Sequence, residues 1–171
     1  FIAISGQKYD GHDYIEDSIN NGAVAIICER LDNLSGHEIP YILINDSVLS
    51  LGDIAENYKM KLGDPYTIGI TGTNGKTTVT KLTASILKEN YKISTTLGNF
   101  NNQIGLPLSI LNTKINENIE KCIYELGASK LNDIKYLTRI CKPDCVTLLN
   151  VSEAHIESFG NMETSTICLN C

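Results

Sequence analysis

Short apolar runs and one long helical stripe divide the first 64 residues. Phe1 to Ile4 reads as a strand, followed by a loop from Gly6 to His12 in which the Asp-Gly turn alone accounts for the sequence around His12. Asp13 with Glu16 makes a capping-box-like start, Ile15 and Ile19 share one face, and Gly22 supplies a left-handed stop, which predicts a short amphipathic helix. Ala23 to Cys28 and Tyr41 to Ile44 are continuous apolar runs and predict buried strands, joined by the turn-rich stretch Asp32 to Pro40, where His37 is expected to be solvated. From Asp46 the residues Val48, Leu51, Ile54, Ala55, Tyr58 and Leu62 recur at helical spacing until Gly63-Asp64-Pro65 ends the helix. A domain boundary is expected there.

Beyond Pro65 strands and helices alternate. Strands are predicted at Thr67 to Ile70, Lys92 to Thr96, Cys122 to Leu126 and Cys145 to Leu149. Between them lie a helix from Thr77 to about Lys88, a polar loop through Asn99 to Gln103, a shorter helix near Leu106 to Leu111, and a helix whose stripe is Leu131, Ile134, Leu137 and Cys141. Such alternation argues for an α/β fold: a small N-terminal α/β domain over residues 1–64, then a parallel sheet with covered faces over 65–171. In sheets of this kind ligands bind at the carboxyl ends of the strands.

Composition narrows the function classes. The 171 residues include 42% hydrophobic and 20% charged side chains, ordinary globular values. With 14 Lys+Arg against 20 Asp+Glu the net charge is −6, opposite to the footprint of a nucleic-acid binder, so an anionic ligand must be held locally. The longest apolar runs fall far short of the roughly 20 residues of a membrane helix, and no basic-then-apolar leader opens the chain, so membrane insertion is not expected and a cytoplasmic setting is. Six cysteines are too sparse for a disulfide scaffold. Cys141 with Cys145 and Cys168 with Cys171 have spacings that could ligate zinc, but Cys28 and Cys145 sit in apolar strand-like runs, where a free thiol behaves as a small hydrophobe.

The strongest chemical signal is Thr71-Gly72-Thr73-Asn74-Gly75-Lys76-Thr77-Thr78, lying between a predicted strand and a predicted helix. Two glycines let the backbone turn its amides toward phosphates, the helix N-terminus adds the positive end of its dipole, and Lys76 brings a full charge. Thr77 can then ligate Mg²⁺. The general pattern G-x-x-x-x-G-K-[ST] would place a glycine at position 70, where this chain has Ile70, so the match is to a variant phosphate-binding loop. Glu125 ends a strand on the same sheet edge and is a suitable hard oxygen ligand for Mg²⁺. Asn99, Asn101 and Asn102 are side-chain amides near that edge, able either to hold a substrate carboxylate or phosphate or to form turns.

The loop, in the form T-G-T-N-G-K-T, resembles that of the Mur ligase family. Phe1 to Glu29 resembles the family's N-terminal UDP-substrate domain. Gly98 to Pro107 (GNFNNQIGLP) and Glu125 to Ser129 (ELGAS) resemble the branch that adds D-alanyl-D-alanine to UDP-N-acetylmuramoyl-tripeptide, and Asn150 to Gly160 (NVSEAHIESFG) resembles its asparagine and histidine motif. The resemblance implies ATP-driven amide synthesis in peptidoglycan precursor assembly, through an acyl phosphate on the tripeptide. It implies small-molecule partners only: ATP, Mg²⁺, the UDP-linked tripeptide and D-alanyl-D-alanine. It further implies that Lys76, Glu125 and His155 are catalytic, that Thr77, Glu125 and His155 hold metal, and that Gly72, Thr73, Asn74, Gly75, Lys76, Thr77, Thr78 and Asn150 bind nucleotide, Asn150 on the adenine side. Asn99 and Asn102 are expected to face substrate.

The resemblance fades near Thr164, and no lysine follows Lys142, although the family carries one beyond the histidine motif. The family's Ser-Arg lead-in before Phe1, the rest of its central sheet and its C-terminal domain have no counterpart in these residues. The sequence therefore reads as a truncated ligase, with a nucleotide-binding module lacking turnover as the alternative, and with a ligase that adds the third peptide residue as the rival within the family.

Overall fold

The computed structural model describes residues 1–6, 8–32, 34, 36 and 38–151. Two compact units emerge, Phe1–Leu51 and Gly52–Cys171. Helix α2 (Ser47–Met60) begins in the first and ends in the second.

In the first unit, a 3₁₀ turn at Gly11–Tyr14 leads into α1 (Ile15–Asn20), and β1 (Ile26–Cys28) pairs in parallel with β2 (Tyr41–Leu43). The predicted Phe1 to Ile4 strand is reduced to a single parallel bridge, Ile2 to Ile27. The helix start also differs from expectation. Asp10 caps the 3₁₀ turn, its carboxylate accepting from the His12 backbone N–H at 2.9 Å, and α1 follows Tyr14, which makes no side-chain cap bond. His12 is 1% exposed; its Nε2 accepts from the Glu29 N–H at 3.0 Å, which places the ring proton on Nδ1, 2.8 Å from Asp10 Oδ1. His12 is thus a buried clamp between the Asp-Gly turn and the end of β1. Tyr41, Ile42 and Leu43 are all exposed, contrary to the buried strand predicted from their apolar run, and among the described residues β2 pairs only with β1. The core is Ala3, Ile15, Ile26, Cys28 and Leu34.

The second unit is built on a four-stranded parallel sheet of β3 (Tyr66–Thr71), β4 (Ile93–Thr95), β5 (Lys121–Glu125) and β6 (Cys145–Leu148), in the order β4-β5-β3-β6. Helices α3 (Lys76–Leu87), α4 (Gly105–Leu111) and α5 (Asp133–Cys141) connect the strands. Period-two alternation sorts the faces. Cys122, Tyr124 and Leu126 pack with Leu106 and Ile110 of α4, Ile134, Leu137 and Ile140 of α5, and Ala55 of α2. Glu125, between Tyr124 and Leu126, is therefore directed to the opposite face, where α3 begins. Register carries the alternation into β3, since Gly69 pairs with Tyr124 and Ile70 with Glu125. Cys145 is exposed on β6, which among the described residues pairs only with β3, so it is not buried as its apolar run suggested. Cys28, Cys122 and Cys141 are buried free thiols, and burial pushes the Cys141 thiol up to about 12. Among the described residues no helix is long and apolar enough to cross a membrane.

Candidate functional site

The carboxyl end of β3 runs into Gly72 and then into a loop that closes at Gly75, the residue before α3. Both glycines have left-handed backbones, φ +137° and +85°, and a Cβ on Gly72 would lie 3.0 Å from the Asn150 carbonyl oxygen. Asn150, just past β6, fastens the loop. Its Oδ1 accepts from Asn74 N–H at 3.0 Å, its Nδ2 donates to the Asn74 carbonyl at 3.0 Å, and its own carbonyl accepts from Thr73 N–H at 2.9 Å. The amides of Thr73 and Asn74 are thereby engaged with Asn150. The first α-helical bond after the loop runs from Val79 N–H to the Gly75 carbonyl, which leaves the N–H groups of 75–78 as the orphan donors of the helix start. Lys76 curls over this mouth, its ammonium donating to the carbonyls of Gly72 at 2.6 Å and Thr73 at 3.1 Å.

Across the mouth stands Glu125, 2% exposed. The Thr77 hydroxyl donates to its Oε2 at 2.8 Å, the Asn101 amide donates to its Oε1 at 2.7 Å, and its backbone N–H donates to Thr96 Oγ1 at 2.7 Å. Thr77, Asn101 and Thr96 are thus the partners of Glu125. Asn102 Oδ1 accepts from the N–H groups of Ile104 at 3.1 Å and Gly105 at 2.8 Å at the start of α4, and Asn99 is exposed. The one advance signal for Thr96 was its place at the end of a predicted strand. Beside Thr77 and Glu125 opens a cavity of about 330 Å³ walled by Thr80, Lys81, Thr95 and Thr96. His155 lies outside the described residues.

The donor set fits a hard divalent cation. A buried carboxylate and a threonine hydroxyl meet at 2.8 Å beside a row of orphan amides and an ammonium group. Among the described residues no three of His, Cys, Asp or Glu gather as a metal cluster, so the protein oxygens here are few. Mg²⁺ suits such a site, because it keeps several waters and takes the remaining oxygens from phosphates.

Residues 1–62 match the model described as "Mur ligase family, catalytic domain", and residues 70–166 match "Mur ligase middle domain". The chain belongs to the Mur ligase family. It is 35% identical over 166 residues to a UDP-N-acetylmuramoyl-tripeptide–D-alanyl-D-alanine ligase of Haemophilus influenzae, covering 95% of this chain and 35% of that protein. It is 35% identical over 163 residues to the Bacillus subtilis protein of the same name, with the same two shares. Among solved structures, MurF from Acinetobacter baumannii superposes with a TM-score of 0.90 at 28% identity, over 98% of this chain and 36% of that one. MurF ligase from Thermotoga maritima, solved in complex with ADP, superposes at 0.86 with 38% identity, over 98% of this chain and 38% of that one. The Mur ligase chain described here spans about a third of the length of these relatives. The Mur ligase family is one of ATP-dependent ligases of cell-wall biogenesis.

Proposed function

We propose that this chain is the nucleotide-holding part of a ligase that joins D-alanyl-D-alanine to UDP-N-acetylmuramoyl-tripeptide, and that the 171-residue chain alone binds ATP without turning it over. The observation that carries the reading is the 2.8 Å contact between Thr77 Oγ1 and Glu125 Oε2, which joins the glycine loop to a buried carboxylate at the carboxyl edge of the sheet. The names of the relatives support the substrates, and the relative solved with ADP supports the nucleotide.

In this reading the loop is a phosphate-binding loop. The N–H groups of 75–78 and the dipole of α3 cradle the phosphates, and Lys76 supplies a point charge at the same mouth. Thr77 and Glu125 would hold Mg²⁺, which supplies charge neutralisation on the transferring phosphoryl group. The reaction brings a carboxylate to a polyphosphate, so two anions must meet; the Lys76 ammonium lowers that repulsion from the protein side. The cavity walled by Thr95, Thr96 and Lys81 adjoins this point and offers hydroxyls and a cation to the substrate carboxylate. Residues 1–64 would carry the UDP end of the substrate. Orienting the attacking amine is worth roughly 7–11 kcal/mol of barrier, and in this reading the described residues hold the nucleotide without supplying that orientation.

The test is calorimetry with Mg²⁺ and ATP together with a phosphate-release assay containing both peptide substrates. Binding without substrate-dependent phosphate release is expected. Absence of nucleotide binding contradicts the first half of the reading, and phosphate release that depends on both substrates and disappears in Glu125→Ala contradicts the second.

A further inference from the structure

Glu125 does not stand at the loop mouth unaided. Its last side-chain torsion is a soft, two-fold one, so a glutamate held at one oxygen alone can turn its carboxylate plane away from a cation. Here the second oxygen is taken by Asn101, whose Nδ2 lies 2.7 Å from Oε1. The amide must present its NH₂ there, because its carbonyl oxygen would set lone pair against lone pair. Asn101 is itself fixed by its main chain: its carbonyl accepts from Gly127 N–H at 2.7 Å, and its N–H donates to Asn99 O at 2.9 Å. Gly127 matters for a second reason. A Cβ at that position would fall 2.8 Å from Asn101 Oδ1 and 2.9 Å from Asn101 Cγ, so a side chain there would push the amide away. The glycine two residues after Glu125 leaves the room in which the amide reaches the carboxylate.

We propose that Asn101, seated on Gly127, is a positioning residue that sets the orientation of the Glu125 carboxylate for a divalent cation, so that the Glu125-Leu126-Gly127 segment and Asn101 act as one unit. This rests on the reading of Glu125 as a metal ligand. The amide keeps Oε1 an acceptor and leaves the Thr77-facing Oε2 as the oxygen offered to the cation. Removing an outer-shell partner of a metal ligand typically weakens metal binding by roughly 10- to 100-fold, and the lower end applies here because Thr77 still holds the carboxylate.

The experiment titrates the 171-residue chain with ADP, once in EDTA and once in Mg²⁺, and takes the ratio of the two affinities. Asn101→Ala, Asn101→Leu, which keeps the shape and loses the donor, and Gly127→Ala are compared with the parent, with thermal melts as a check on folding. The expected result is an EDTA affinity like the parent's and a Mg²⁺ gain reduced about tenfold in all three. Combining Asn101→Ala with Gly127→Ala is expected to add nothing further, since both act through one amide. An unchanged Mg²⁺ gain in the two Asn101 variants overturns the proposal. An equal loss in EDTA and in Mg²⁺ also overturns it, by assigning Asn101 to general support of the loop. A parent that shows no Mg²⁺ gain at all overturns the metal reading of Glu125 itself, and is distinguishable because it appears before any substitution.

Discussion

Replacing Asn150 by alanine separates two accounts of how this residue serves nucleotide binding. Family resemblance puts it on the adenine side, but its side chain makes a reciprocal pair with the backbone of Asn74, at 3.0 Å in each direction. Alanine removes both of these bonds and keeps the third, from Thr73 N–H to the Asn150 carbonyl. A net hydrogen bond contributes about 0.5–1.5 kcal/mol, and both are exposed enough for water to replace them, so the expected loss is about 1–2 kcal/mol of loop order. Nucleotide binding has to restore that order, and at about 1.4 kcal/mol per decade the affinity falls about 5- to 30-fold. The assay is calorimetric titration of parent and Asn150→Ala with ATP and, separately, with inorganic tripolyphosphate. A residue that acts through the loop weakens both ligands by the same factor. Tripolyphosphate binding that stays at the parent level while ATP binding falls would refute the reasoning and place the side chain on the base.

Further outcomes follow from buried and charged groups elsewhere. Asp133, 6% exposed, accepts from Ser129 N–H, Lys130 N–H and Gln103 Nε2, each at 2.8 Å, so Asp133→Ala should lower the urea-unfolding free energy by about 2–4 kcal/mol; a loss below about 1 kcal/mol contradicts this clamp on the loop after Glu125. Cys145 should be alkylated rapidly in the native protein, with Cys28, Cys122 and Cys141 protected until denaturant is added, as peptide mass mapping can show. Because burial raises the Cys141 thiol from 9.0 to about 12, the fold favours the neutral form: its contribution to stability is complete below pH 9 and is lost as pH rises toward about 12. Urea midpoints that do not fall over that interval contradict it. The Arg30 guanidinium, helped by the His12 N–H, holds the Asp10 carboxyl well below its ordinary 3.8, so Asp10 contributes stability above that value and loses it as pH falls through the lowered one. Asp10→Asn should abolish this part of the acid-unfolding profile.

Much of the second unit was legible in the order of residues. The alternation of apolar strands with helical stripes fixes β3, α3, β4, α4, β5, α5 and β6 to within a few residues of their observed bounds, because each carries its own period and its own stop. Burial of edge strands was not legible. The runs at Tyr41 and Cys145 look like core strands, since periodicity reports apolarity and says nothing of position in the sheet order, which only the fold determines. The site shows the same division. The glycines, Lys76 and Thr77 advertise themselves through local spacing, and the strand-end position of Glu125 is read from its run. Which of three neighbouring asparagines reaches Glu125 depends on a loop that folds back over Gly127, and no local pattern distinguishes Asn101 from Asn99 or Asn102.

The central claim is that the glycine loop holds nucleotide phosphates, and the most direct measurement is the Mg²⁺-dependent affinity of the 171-residue chain for ATP with and without the Lys76 ammonium. The account predicts that Lys76→Ala weakens ATP binding by more than about 1.5 kcal/mol, the scale of a charge-assisted contact, while the melting temperature stays near the parent's. Equal affinity in parent and variant contradicts it.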